Sequence, residues 1–296
     1  MSPYRVLALT TLAMFAFAGN SLLCRAALDY TRIDASSFTT IRLLSGAVVL
    51  WLVVRSRASM ATGAGNWWSA FALFIYAAGF SFAYIQMPAA TGALLLFGTV
   101  QMTMIGHGLW RGERLAWLQW AGVLLAVGGL VALLLPGLAA PPPASAGLML
   151  CAGIAWGAYS LRGKGVGDPT RVTAGNFLRA VPFALALSLL MSDGTTWDAA
   201  GIGYAVASGA LTSGLGYAIW YTALPSLTST HAATVQLSVP PIAALGAVAF
   251  LGEAMTLTLL SASVAIVGGI ALVILSRRTP AVSALSSEAG ERGEAR

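Results

Sequence analysis

The sequence predicts an all-α polytopic membrane protein of ten transmembrane helices, built as two inverted five-helix repeats. Three observations carry that prediction. Ten apolar stretches fill the 296 residues, 58% of them hydrophobic and 9% charged, and each stretch is long enough for a bilayer. The second five repeat the first. A constant shift of 140 residues lays Gly112-Glu113 on Gly252-Glu253, Val127-Gly128-Gly129 on Val267-Gly268-Gly269, Gly106 on Gly246, and Ala83 and Ala93 on Ala223 and Ala233. The loops alternate in charge. A unit with an odd number of spans forces its copy to enter the membrane the other way up, and inverted repeats place a solute site between them.

The elements follow in order. Span 1 (4–24) contains Ala16-Phe17-Ala18, which resembles a signal-peptidase site, but the apolar run continues to Cys24 and the segment is expected to stay. Span 2 (35–54) carries Arg42, and span 3 (67–86) carries Tyr76, Phe80 and Tyr84. Span 4 (88–109) starts at a turn marked by Pro88; span 5 (115–135) follows Gly112-Glu113 and holds Gly122, Gly128 and Gly129. A stiff linker with Ala140-Pro141-Pro142-Pro143 joins the halves. Spans 6 (144–162) and 7 (172–191) align with 1 and 2: Phe17–Leu22 lies on Trp156–Leu161, and Arg42 on Arg179. Span 8 (199–222) carries Tyr217 and Tyr221, span 9 (227–250) Gln236, Pro240 and Pro241, and span 10 (256–276) Gly268 and Gly269. The runs are too long for strands and lack period-2 alternation, so helices win over a barrel. The repeats are thus 1–138 and 144–276, with a disordered cytoplasmic tail at 279–296.

The net charge of +6 does not point to nucleic acid, because its placement follows the membrane. Arg5, Arg55, Arg57, Arg111, Arg114, Arg162, Lys164, Arg171, Arg277 and Arg278 fall in alternate loops or at the ends. The opposite loops carry Asp29, Asp34, Asp193, Asp198 and Glu253, with Arg25 and Arg32 as bases. Basic residues stay inside, which puts both termini in the cytoplasm of a bacterial inner-membrane protein.

Apolar side chains gain nothing hydrophobic by leaving lipid for another helix, so the span 5 and span 10 glycines are expected to allow close backbone packing. Cys24 and Cys151 have no metal-ligand spacing and read as small buried thiols. Glu113 and Glu253 precede apolar runs, where a helix N-terminus favours a carboxylate. His107 and His231 read as interfacial.

The second half reads Gly216-Tyr217-Ala218-Ile219-Trp220-Tyr221-Thr222-Ala223-Leu224, then Ala232-Ala233, Val239-Pro240-Pro241, Leu251-Gly252-Glu253 and Gly268-Gly269. It resembles an EamA repeat of the drug/metabolite transporter superfamily, and the first half resembles a weaker copy. The first half departs from the pattern at Val100-Gln101, opposite Pro240-Pro241, and at Phe17-Ala18, where Trp-Gly is common. The resemblance implies a ten-helix carrier in which helices 1–4 and 6–9 surround a central cavity and 5 and 10 support it. It extends to bacterial amino-acid and metabolite exporters and implies export of aromatic and other neutral amino acids or related metabolites. Multidrug or nucleoside efflux by proton antiport is the alternative.

On the presumed cavity helices, Tyr76, Phe80 and Tyr84 recur at i, i+4 and i+8, Tyr217 and Tyr221 repeat the spacing, and Trp156 and Tyr159 share a face. Asn20, Gln101 and Gln236 are amides that need partners in a low-dielectric interior. These ten residues are the expected substrate contacts, an apolar pocket with a few placed polar groups. Arg42 and Arg179 are expected either to anchor a carboxylate or gate, or to snorkel to the interface. Pro240-Pro241 is the expected hinge. The spans hold almost no acid, so facilitated diffusion or exchange is as plausible as proton coupling.

No enzyme is expected. Gly165-Val166-Gly167-Asp168 matches a Gly-x-Gly-Asp protease motif, yet it sits in a charged loop with no partner Asp in another span. Neither His-Glu-x-x-His nor Gly-x-Ser-x-Gly occurs. The expected partners are a small-molecule substrate and membrane lipid, with no cofactor, metal or nucleic acid, in a monomer or loose dimer.

Overall fold

The apolar runs fold as helices close to the predicted bounds. A computed structural model of the chain describes residues 1–56, 64–135, 140–163, 167–227, 232 and 235–276. Its helices are α1 (Pro3–Tyr30), α2 (Ala35–Ser56), α3 (Trp67–Ala83), α4 (Ala89–Trp110), α5 (Trp117–Leu134), α6 (Pro143–Arg162) and α7 (Pro169–Leu190). Then α8 (Ala199–Ala207), a π-helical segment (Ser208–Leu215) and α9 (Gly216–Ala223) follow one another without interruption, before α10 (Val239–Leu251) and α11 (Leu257–Leu275). Seven of these helices are long and apolar enough to cross a membrane; α3 and α10 are shorter apolar helices. No strand occurs among the described residues. Arg57, Lys164, His231, Arg277, Arg278 and the predicted tail at 279–296 lie outside the described residues.

Helix ends are set by side chains that satisfy free backbone N–H groups. Asn66 accepts from Ser69 N at 2.9 Å to start α3, and Asp168 accepts from Thr170 N at 2.8 Å ahead of Pro169 in α7. Thr256 does the same for α11 from Leu259 N at 3.1 Å. Gly252, at φ 65°, takes the left-handed conformation that ends α10. Two boundaries depart most from expectation: span 9, expected from 227, gives a helix that starts at Val239 after a turn at 237–238, and α1 continues to Tyr30, so Asp29 sits on the helix and pairs with Arg25 at 2.9 Å. Ala26, Ala27 and Leu28 favour helix, and the i,i+4 pair adds to it.

The helices pack in sets related by exchange of the two halves. α5 packs on α11 and α2 on α7. α3 packs on α6 and α7, just as the α8–π–α9 stretch packs on α1 and α2; α4 packs on α6 as α10 packs on α1. The α5–α11 contact depends on glycine: a Cβ at Gly122 would stand 2.5 Å from the Gly269 carbonyl oxygen, and one at Gly269 would stand 2.5 Å from that of Gly122. Gly128 and Gly268, expected to pack likewise, face away and have nothing within 4 Å of such a Cβ. Helix rotation decides this, since neighbours in sequence lie about 100° apart. Gly128→Ala is therefore expected to leave thermal stability unchanged or raise it by up to ~1 kcal/mol through helix propensity; a lower melting temperature in detergent would contradict this orientation.

Pro240 and Pro241, the expected hinge, stand at a break in span 9. They lie in the first turn of α10, after a turn at Leu237–Ser238 where Ser238 N donates to the Val235 carbonyl at 3.0 Å. A first turn has no backbone bond for proline to remove, so they open a helix rather than kink one. Cys24 is buried as expected, whereas Cys151 is exposed on α6.

Between α1 and α2, Asp34 joins the two halves. Its carboxylate accepts from Ser36 N (3.0 Å), Ser37 N (2.9 Å) and, across the molecule, Thr196 N (3.0 Å). Partial burial pushes its pKa up, but the hydrogen bonds outweigh that and hold it below its ordinary value. The resulting stabilisation is present at neutral pH and fades as pH falls through that lowered value.

Candidate functional site

Side chains from α1, α3, α4, α6, the π segment and α9 enclose a cavity of about 470 Å³ in the middle of the bundle. Of the ten predicted contacts, Asn20, Tyr76, Phe80, Gln101, Trp156, Tyr217, Tyr221 and Gln236 line it. Their rings form a continuous wall. Tyr76 lies 4.7 Å from Trp156, Trp156 stacks on Tyr217 at 5.2 Å, and Tyr217 lies 6.5 Å from Tyr221. Phe80 is 5.5 Å from Tyr76 on the same face of α3, as the i,i+4 spacing requires.

The other two predicted contacts stand behind this wall. Tyr84 meets Phe80 edge-on at 4.7 Å, is fully buried, and donates to the Ala89 carbonyl at 3.3 Å. Tyr159 stacks under Trp156 at 5.3 Å and donates to Thr173 Oγ1 at 3.4 Å. Both support lining rings rather than face the cavity.

The polar centre lies where α1, α2, α3 and the π segment meet. Arg42 is only 2% exposed. Its Nη2 donates to Tyr76 Oη at 2.9 Å and its Nε to Ser213 Oγ at 3.4 Å, while the guanidinium lies 5.2 and 4.9 Å from the Tyr76 and Phe80 ring centres. Among the described residues Nη1 has no hydrogen-bond partner, nor does the hydroxyl of the lining residue Ser21. Asn20 donates to Tyr76 Oη at 3.3 Å and accepts from Ser208 Oγ at 2.8 Å. No salt bridge involves Arg42 among the described residues. An unpaired charge buried this deeply is unfavourable unless an anion or a set of dipoles compensates it.

The π segment makes this centre possible. One extra residue per turn turns Ser208 toward Asn20 and Ser213 toward Arg42, and π turns recur at functional sites. Gly209 lets the segment touch α2: a Cβ there would overlap the Ser45 hydroxyl and the Arg42 carbonyl.

Arg179 is not brought to Arg42, although the repeat pairs them in sequence. Its Nη1 donates to the carbonyls of Gly175 (2.9 Å) and Ala64, and its guanidinium lies 6.0 Å from the Trp67 ring centre. Backbone carbonyls beside α3's start accept from it, and it is not among the residues that line the cavity. Sequence reasoning missed Phe17, Ser21, Thr212, Ser213 and Trp220, all of which line the cavity. A Ser208–Thr212 step of four residues, one turn before Tyr217, was a usable signal for the hydroxyls.

The cavity's two ends differ. Its lining reaches Gly163 at the end of α6, Pro169 at the start of α7, and Leu224 and Leu227 after α9. At the opposite end hydrogen bonds join helix ends, both across the halves and within the first. Glu253 accepts from Ala89 N at 2.5 Å and Ala90 N at 3.2 Å, so it caps α4 and not the α11 that follows it. Arg25 donates to the Tyr84 and Ile85 carbonyls, both at 3.0 Å, and Tyr30 to the Leu251 carbonyl at 2.8 Å. Glu253→Gln keeps the shape but leaves one acceptor oxygen and no charge at the helix end. A loss of about 1–2 kcal/mol is expected, read as a lower melting temperature; an unchanged one would show that the cap contributes nothing.

The EamA-like transporter family matches residues 144–275. An uncharacterized protein of Pseudomonas aeruginosa is 56% identical over 278 residues, covering 94% of this chain and 97% of that one. A protein of Streptantibioticus cattleyicolor named a probable terminal-alkyne amino-acid exporter is 27% identical over 200 residues, 66% of each chain. A solved crystal structure, 20% identical, superposes over 95% of this chain and 100% of that one with a TM-score of 0.67, which supports the fold. The apolar helical bundle and these matches agree: the chain belongs to the EamA-like transporter family and is a multi-pass membrane transporter rather than an enzyme.

Proposed function

We propose that the protein is an inner-membrane, alternating-access exporter of aromatic and other neutral amino acids, working by facilitated diffusion or exchange. The observation that carries the substrate class is Arg42, a buried guanidinium with no carboxylate partner among the described residues, bonded to the lining residues Tyr76 and Ser213. A carboxylate at that wall would supply the missing counter-charge, and the rings of Trp156, Tyr217 and Tyr221 would receive an apolar side chain. The cavity volume falls in the ~300–1,000 Å³ range of small-molecule sites. The amino-acid exporter among the relatives points to the same solutes.

Ten spans in two inverted repeats, 1–138 and 144–276, account for the exchange-related packing. By the distribution of basic loops both termini are cytoplasmic. The end reached by the cavity then carries Arg162 and Arg171, and the conformation is open to the cytoplasm, ready to load a solute for export. Passive transport is favoured because the described lining contains no Asp, Glu or His.

The test is uptake into proteoliposomes of labelled aromatic and aliphatic amino acids, cationic drugs and nucleosides, with and without an imposed pH gradient. Saturable amino-acid uptake without the gradient is the expected result. Drug or nucleoside uptake with no amino-acid uptake would overturn the substrate reading, and accumulation only under the gradient would overturn the passive one.

A further inference from the structure

The cavity offers a bound solute two unlike ends. At one, Tyr76 Oη accepts from Arg42 Nη2 at 2.9 Å and from Asn20 Nδ2 at 3.3 Å. Both lone pairs of that oxygen are engaged, and its own O–H has no acceptor among the described residues. Ser213 Oγ accepts from Arg42 Nε at 3.4 Å, and its proton is free in the same sense. Tyr76 and Ser213 both line the cavity. The arginine's charge therefore reaches the solute as two polarised hydroxyl donors, an arrangement suited to a carboxylate and hostile to a cation.

Nothing at the other end answers an ammonium with charge. The described lining holds ring faces and the amides of Gln101 and Gln236, with no acid. Ring faces attract a cation only modestly while water still reaches it, and the Arg42 charge repels it. An α-amino acid is thus gripped by one of its two charges.

We infer that the carboxylate alone is the recognition element, so that the site also takes carboxylates without a free α-amino group: N-acylated amino acids and simple arylalkanoates. This deepens the amino-acid reading and rests on it for the parent compound. It separates the protein from a site built for zwitterions, in which removal of either charge abolishes binding.

The experiment uses the full chain in proteoliposomes and follows counterflow of labelled L-phenylalanine. The competitors are N-acetyl-L-phenylalanine, 3-phenylpropanoate, L-phenylalaninamide and 2-phenylethylamine. Thermal shifts in detergent are measured with the same compounds. The two carboxylates are expected to compete within about threefold of phenylalanine and to stabilise the protein, while the amide and the amine are at least about tenfold weaker, the scale of one lost charge-assisted hydrogen bond. In Tyr76→Phe, which keeps the ring and removes the hydroxyl, the gap is expected to shrink to about threefold or less. Failure of the acetylated and deaminated compounds alongside active phenylalanine would overturn the inference and leave the amino-acid reading standing. Stabilisation by carboxylates without phenylalanine counterflow would do the reverse. A protein that responds to none of the carboxylates overturns both.

Discussion

Arg42→Gln is expected to reduce transport by about 10- to 100-fold while leaving the melting temperature unchanged or higher. The two halves of that result come from one fact. The guanidinium is 2% exposed, has no salt-bridge partner among the described residues, and leaves Nη1 without an acceptor. Such a charge contributes little to folding, and its removal relieves a desolvation penalty. For a carboxylate solute the same charge supplies attraction in a low-dielectric wall and polarises Tyr76 and Ser213. Loss of a charged hydrogen bond is worth ~1.5–3 kcal/mol, and ~1.4 kcal/mol is one decade in rate. Arg42→Lys is expected to fall between the two, because one ammonium cannot reproduce the fork that reaches both hydroxyls. Transport rates in proteoliposomes and melting curves on the same preparations read both halves. Full activity in Arg42→Gln would remove the anchor; a collapse in stability would show that the residue is structural.

Gly209→Ala is expected to be among the most damaging of single-methyl additions. The atoms in the way are the Arg42 carbonyl and the Ser45 hydroxyl, and the carbonyl is backbone in mid-helix with no rotamer to retreat to. Forced overpacking costs ~1–3 kcal/mol and more where backbone must move. The strain falls on the contact between α2 and the π segment, so it also shifts Ser213 from Arg42. Yield and melting temperature should both drop, in contrast to Gly128→Ala in an open position. A Gly209→Ala protein as stable as the parent would mean that the π segment does not approach α2 so closely.

Most span bounds, though not the start of span 9, were legible because a membrane helix is a property of a contiguous stretch. α2 and α4 begin within a residue of expectation, and the i,i+4 rings of α3 and α9 share faces as helical geometry demands. What escaped the sequence depends on contacts between distant residues. Arg42 and Arg179 occupy equivalent places in the repeat, yet one meets Tyr76 and the other meets the carbonyl of Ala64. Glu253 carried the signature of a helix-end carboxylate, but the helix it serves is α4, more than half the chain away. The π segment is composed of Ser, Gly, Ala, Leu and Thr with no marker of its wider turn. Its form follows from the approach of α2, which no local pattern encodes.

Under the proposed alternating access, the lone charge of Arg42 would also make the carrier answer to voltage. With an anionic carboxylate in place the centre is neutral and with a zwitterionic amino acid it remains a cation, as it is after release. A full crossing of the field is worth about 2.3 kcal/mol per elementary charge at 100 mV, and any fraction that the centre traverses scales accordingly. An interior-negative membrane draws the unloaded centre toward the inner side and biases it to await the next solute there. Exchange, in which the centre never crosses empty, escapes that bias. For an anionic carboxylate the resting potential would thereby lend direction to export, whereas a zwitterion moves no net charge over the cycle and gains none.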